Sequence, residues 1–249
     1  MQTQYNEIIN SFVDKYGLTR GQVVAEIEKT FSLMLTRWHR ANTVVLFGDN
    51  HLQALRYEEL SSVPLQKQFD LVTMRGWNTI RRIIDKNLTH AACLHDVGHY
   101  KRKEHEMRWG EIIRKHEDGF LVEIEIVEGE PVIAECPLNR IGIHERADFS
   151  VGQRRAFHLR RVEPILLNGV GRVRIVVDRV SKNLVTTLLQ EKLGRIGSTH
   201  IFCSKRYVGH KSFVEADEFL PKEVIKAASR ELHEHIQVTV MKKAGDRKI

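Results

Sequence analysis

Gly110-Glu111-Ile112-Ile113-Arg114-Lys115, the turn His116-Glu117-Asp118-Gly119, then Phe120-Leu121-Val122-Glu123-Ile124-Glu125-Ile126: these residues open the stretch Trp109–Leu193, whose reading decides the fold. Phe120, Val122, Ile124 and Ile126 alternate with polar neighbours, the period of a strand with one buried face. Val132-Ile133-Ala134 supplies a third strand. Phe149-Ser150-Val151-Gly152-Gln153-Arg154 turns into a fourth at Phe157–Val162, and Val173–Arg179 forms a fifth. A first strand starting on Gly110 and four more short strands with glycine turns predict a five-stranded OB-type β-barrel, an architecture that commonly binds oligonucleotides. A helix at Lys182–Leu193 follows directly.

Composition narrows the function classes. A chain of 249 residues has room for two or three small domains. It contains no apolar run long enough to span a bilayer and opens on no signal-peptide pattern, so a cytoplasmic protein is expected. Cys93, Cys136 and Cys203 are far apart and form no Cys-x-x-Cys, which favours reduced thiols over a disulfide or zinc scaffold. The net charge of +7 is unevenly placed: residues 151–200 hold ten Lys/Arg against three Asp/Glu, whereas residues 101–150 lean acidic. A basic second half of a barrel suits contact with a phosphate backbone, although a solvated surface without a partner would show the same bias.

Before the barrel the pattern is helical, with a small hairpin. Tyr5–Val13 has helical spacing and stops near Gly17; Thr19 suits an N-cap. Val23, Val24, Ile27, Phe31, Met34, Leu35 and Trp38 then form one amphipathic stripe. Thr43–Phe47 and Leu52–Tyr57, joined by Gly48-Asp49-Asn50, read as a hairpin. A looser segment containing Pro64 precedes a long helix from Trp77 to about His105, with Ile80, Ile84, Leu88 and Ala91 as its buried stripe. After the barrel the order is αββαβ: the Lys182–Leu193 helix, strands His200–Lys205 and Lys211–Glu215, a helix from Pro221 to about His233, and the strand Ile236–Val240. The tail carries Lys242, Lys243, Arg247 and Lys248 and reads as a mobile segment adding nonspecific charge.

Gly110, Phe149-Ser150-Val151-Gly152-Gln153-Arg154 and Val177-Asp178-Arg179, with a helix immediately after, resemble the S-one RNA-binding motif of the NusA family of bacterial transcription factors. That family has a glycine-opened first strand, a Phe-x-x-Gly-(Asp/Gln)-Arg turn and a fifth strand ending Val-(Thr/Ser)-Arg; Asp178 departs from it. The N-terminal order of two helices, hairpin and long connecting helix also resembles the family, where this domain docks on RNA polymerase. Glu223–Leu232 and the strand after it resemble the end of a KH domain. A working KH domain clamps nucleotides with a Gly-x-x-Gly loop. Phe219-Leu220-Pro221-Lys222 stands at the matching place without either glycine, so this segment is expected to pack rather than to bind RNA.

The resemblance implies a multidomain α+β protein: an α/β polymerase-binding domain with its long connecting helix at 1–105, the barrel at 106–180 and a truncated KH-like αββαβ domain at 181–249. It implies a transcription elongation factor that binds RNA polymerase, nascent single-stranded RNA and other elongation factors, and modulates pausing, termination and antitermination. No catalysis, cofactor or metal is expected. Arg114, Lys115, Phe120, Arg154, Arg155, Arg160, Arg161, Arg172 and Arg174 are the candidate RNA contacts, rings to stack on bases and cations to pair with phosphates. For each, an ordinary surface or core role is the alternative. A stand-alone RNA-binding protein without ties to polymerase is the second reading. The third rests on Leu94-His95-Asp96-Val97-Gly98-His99, which looks like the centre of HD-type metal-dependent phosphohydrolases. The remaining ligands of such a site would have to come from His39 or His51 and from Asp118 or Asp148, and the helical bundle that carries them is not expected here.

Overall fold

The computed structural model describes residues 2–48, 51–56, 65–69, 76–194 and 200–241. Asp49 and Asn50 of the hairpin turn, Tyr57, Pro64, and the tail residues Lys242, Lys243, Arg247 and Lys248 lie outside these. The described residues form a mixed α+β structure. It divides into two compact units, Met1–Val97 with Pro164–Val173, and Gly98–Glu163 with Arg174–Ile249.

In the first unit, α1 (Gln2–Tyr16) and α2 (Arg20–His39) precede a three-stranded antiparallel sheet, β1 (Thr43–Gly48), β2 (His51–Arg56) and β3 (Leu65–Phe69), in the order β1-β2-β3. Thr19 caps α2 in a full capping box with Gln22. The hairpin register pairs Gly48 with His51, so Gly48, expected in the turn, ends β1. The third strand departs from the expected looser segment, because Leu65-Gln66-Lys67-Gln68-Phe69 is mostly polar and lacks the alternation that marks a half-buried strand. Val23, Ile27, Phe31, Met34 and Leu35 of the α2 stripe enter the core, but Trp38 is exposed at the end of the helix. The long helix α3 (Trp77–Lys101) contributes Ile80, Ile84 and Leu88 to the same core; Ala91 is half-buried beside it. It ends at Lys101, earlier than expected, and a turn follows in which His105 adopts φ +73°.

In the second unit, β4 (Met107–Lys115), β5 (Gly119–Val127), β6 (Glu130–Pro137), β7 (Arg154–Leu167) and β8 (Val170–Asp178) are joined in the cyclic order β4-β5-β6-β8-β7, a closed barrel. The tip of β7 and β8 belongs to the first unit. All five strands are legible in the sequence, but several boundaries are not: β7 runs beyond the expected Phe157–Val162 at both ends, and β8 starts before Val173. Gly110 lies inside β4 rather than at its start. A Cβ there would stand 2.5 Å from Val122 Cγ1 and 2.6 Å from Ile124 Cγ2, so glycine is set by close approach across the barrel wall. The Phe149–Arg154 turn also has a physical basis: Phe149 is buried edge-on to Phe120 and Phe157, and Gly152 takes φ +87° with its N–H on Ile112 O.

α4 (Lys182–Leu193) follows, capped by Ser181, then β9 (Ile201–Tyr207), β10 (Lys211–Ala216), α5 (Lys222–Leu232) and β11 (His235–Val240). The expected αββαβ order is present, with β9 antiparallel and β11 parallel to β10. Leu184, Val185, Leu188 and Leu189 of α4 pack with Ile201, Cys203, Val214, Ala228, Leu232 and barrel residue Ala156 in one core. Two arginines with buried side chains reinforce it. Arg179 donates to both oxygens of Glu145, to Glu231 Oε1 and to the carbonyls of Ala156 and Glu231. Arg206 donates to both carboxylate oxygens of Glu234 and to Ser181 O.

Candidate nucleic-acid interface

The barrel strands run so that Arg114 and Lys115 at the end of β4, and Arg154 and Arg155 at the start of β7, lie at one end. Register places Glu111 opposite Arg154, and Ile112 N–H donates to Gln153 O, 2.9 Å. Arg114 and Arg154 are exposed and have no charged partner among the described residues. Lys115 is exposed, its Nζ 5.8 Å from the centroid of the Phe120 ring. These three cations are available to an anion. Arg155 is half-buried, 3.7 Å from Glu231 and against the Phe149 ring.

The remaining candidates divide differently. Arg160 donates to buried Asp178 at 3.2 Å, Arg161 reaches Glu163 at 3.4 Å, and Arg174 bridges Glu135 at 2.9 Å and Glu163 at 3.6 Å. Their charges are already compensated within the unit. Arg172 is exposed without a charged partner among the described residues, on the segment Pro164–Val173 of the first unit. Much of the basic excess of residues 151–200 is thus engaged in internal pairs, which a count of charges along the chain cannot reveal. Phe120 requires a correction: it is 2% exposed, inside the barrel wall, so neither ring face is open to a base. The alternation that identifies it as a strand residue also marks it as core.

Asp178, the departure from the family pattern, is fully buried. Its carboxylate accepts from the Ser181 N–H at 2.9 Å and from Arg160, with His158 Nδ1 at 3.3 Å. Burial opposes its charge, but His158, Ser181 and Arg160 outweigh burial and hold the carboxyl below its ordinary range. The residue stabilises the passage from β8 into α4. Arg179, the arginine of the same motif, is wholly internal. The family-like signature at Asp178-Arg179 therefore describes how the barrel joins the following module.

The outer face of β4 and β5 is unsuited to phosphate. Glu111 and Glu123 are cross-strand partners, and with Glu125 they line a cleft of about 930 Å³, which Trp109, Arg108 and, at its basic edge, Arg154 also line. Trp109 Nε1 donates to Glu191 at 2.9 Å, and Lys192 lies over its ring. Like charges directly opposite repel, and this wall would repel a polyanion too.

His95 and Asp96 are both about half exposed, with 3.7 Å between Nδ1 and Oδ1. Among the described residues no three His, Cys, Asp or Glu side chains converge as metal ligands. Cys93, Cys136 and Cys203 are free and buried, and burial raises the pKa of each thiol. Among the described residues no helix is long and apolar enough to cross a membrane.

No family model matches this chain, and no curated protein matches it. Among solved structures, it is similar to a chain in the crystal structure of the a/eIF2alpha–aDim2p–rRNA complex from Pyrococcus horikoshii OT3, at 19% identity and a TM-score of 0.25. The match covers 37% of this chain and 63% of that one, less than two thirds of that neighbour's length.

Proposed function

We propose that this chain binds single-stranded RNA and acts without covalent chemistry. The observation that carries the reading is the five-stranded barrel of order β4-β5-β6-β8-β7, read as OB-type, with Arg114, Lys115 and Arg154 uncompensated at one end. Exposed cations on a rigid rim gain from releasing the counterions condensed on a polynucleotide. The acidic wall of Glu111, Glu123 and Glu125 restricts the approach to that end.

The finer reading is a NusA-like transcription factor. Two helices, a small sheet and a long helix precede the barrel, and an αββαβ module read as KH-like follows it; this order supports the resemblance carried by Phe149–Arg154. On this reading the N-terminal segment holds RNA polymerase while the barrel holds exiting RNA, and together they bias pausing, termination and antitermination. Co-purification tests the polymerase half. Tagged full-length protein retains core polymerase from its host after nuclease treatment if the reading holds. Loss of polymerase on nuclease treatment, with RNA binding intact, would leave a stand-alone RNA-binding protein.

A further inference from the structure

The three-stranded sheet of the second unit has two unlike faces. Ile201, Cys203, Val214, Ala216 and Ile236 point to α4 and α5 and are buried. The opposite face has no helix against it among the described residues. Register aligns its side chains in three rows across the strands: Tyr207, Lys211 and His235; Lys205, Phe213 and Gln237; Phe202, Glu215 and Thr239. Phe202 is 52% exposed and Tyr207 47%, large values for rings near the start and at the end of a sheet strand. Lys205 Nζ stands 4.8 Å from the Tyr207 centroid and Lys211 Nζ 4.9 Å from that of Phe213. Tyr207 and Phe213 meet edge to face, with centroids 6.3 Å apart.

We propose that this open face is a stacking platform for single-stranded RNA, a site separate from the barrel rim that deepens the RNA-binding reading above and rests on it. Rings fixed on a sheet accept unpaired bases on their faces, and nearby lysines pair with the linking phosphates. Both components are present here, alternating along and across β9 and β10. Each lysine ammonium now lies over a ring face, where attraction to the ring quadrupole holds a cation. A base arriving on the ring displaces the ammonium, which swings to the phosphate beside it. Lys205 and Lys211 outnumber the single carboxylate, Glu215, so the face complements a polyanion. The absent glycine clamp at Phe219-Leu220-Pro221-Lys222 does not affect this site, because that loop leads into α5 whereas the rings lie on the face away from the helices.

The test uses full-length protein and a short, unstructured, fluorescein-labelled RNA, with affinity read by anisotropy over a salt series. The double variant Phe202→Ala/Tyr207→Ala removes only exposed rings, and circular dichroism checks its fold. Its affinity should fall at least about fivefold, the lower bound for one lost base stack, with the salt dependence unchanged. Tyr207→Phe, which keeps the ring, should bind like the parent. Lys205→Ala/Lys211→Ala should flatten the log–log salt slope by about 1.4, two single-strand phosphates. A duplex of the same sequence should compete poorly. If the parent binds RNA and the ring variant binds equally well, the platform is wrong and the barrel reading stands. The platform is equally wrong if the ring variant only converts a dimer to a monomer, which makes the face a contact between copies. If the parent binds no RNA, the reading on which the platform rests fails with it.

Discussion

Arg179 shows what a single residue does when its charge is wholly internal. Its guanidinium is 0% exposed and neutralised by Glu145 and Glu231. Truncation leaves Glu145 buried without an ion-pair partner among the described residues, and breaking such a pair costs about 3–5 kcal/mol. Urea unfolding of Arg179→Ala should show that loss; a change under about 1 kcal/mol would contradict the network. Phe120→Ala should likewise cost about 3–5 kcal/mol, as buried aromatics do on truncation. The ring packs edge to face against Phe149 rather than on a base, so any RNA affinity lost should track the fraction unfolded. Asp178 and Glu234 give a pH signature. Burial disfavours charge on both, but hydrogen bonds and cations prevail, with Arg206, Gly209 and Ser212 serving Glu234, and both carboxyls sit below their ordinary values. Groups depressed in the folded state contribute fully above their unfolded values, about 3.9 for Asp and 4.3 for Glu, and lose that contribution as pH falls through the folded values. Asp178→Asn should therefore flatten the acid limb of stability against pH; an unchanged limb would show that its carboxyl is not depressed.

At the scale of elements, α2 completes β1 in a way the sequence hides. β1 is an edge strand, so alternate N–H groups lack a strand partner. Glu28, Ser32 and Thr36, four residues apart on one side of α2, accept from Phe47, Val45 and Thr43, two residues apart on the strand, at 2.7, 2.8 and 3.1 Å. A rise of about 6 Å over four helical residues matches about 6.6 Å over two strand residues. Ser32→Ala leaves the Val45 N–H inside the core without its acceptor and should cost about 1–3 kcal/mol by thermal or chemical unfolding. An effect within about 0.5 kcal/mol would place water or another acceptor there. Gly152→Ala should also destabilise, by more than about 0.4–1 kcal/mol, because alanine resists the positive φ. Elements with strong periodicity are legible in the sequence: α2, the barrel strands and the αββαβ order. β3 is not, because a polar edge strand lacks alternation, and α3 reads as too long because nothing apolar marks its end at Lys101. Of the site, Arg114, Lys115 and Arg154 are legible as exposed cations. Pairing of Arg160 with Asp178 and of Arg174 with Glu135 depends on strands distant in sequence, whereas Arg161 meets Glu163 two residues along β7. Phe202, Tyr207 and Phe213 escape a sequence reading although they alternate with lysines, because a ring on a strand is as often core as surface. Only the packing of α4 and α5 decides which face of the sheet stays open.

For the whole molecule, charge organisation matters more than net charge. The acidic residues Glu111, Glu123 and Glu125 with Arg154 at the edge of their cleft, the internal pairs of β7 and β8, and the exposed cations Arg114 and Lys115 distribute the charge of a basic chain unevenly over its surface. The most direct measurement of the central claim is the salt dependence of RNA binding by the intact protein. Each single-strand phosphate neutralised contributes about −0.7 to the slope of log affinity against log salt. Arg114→Ala/Lys115→Ala/Arg154→Ala should bind more weakly at low salt, with a slope shallower by about 2. No detectable binding by the parent at low salt, or a triple variant with the parent's affinity and slope, would contradict the assignment of the barrel rim to RNA.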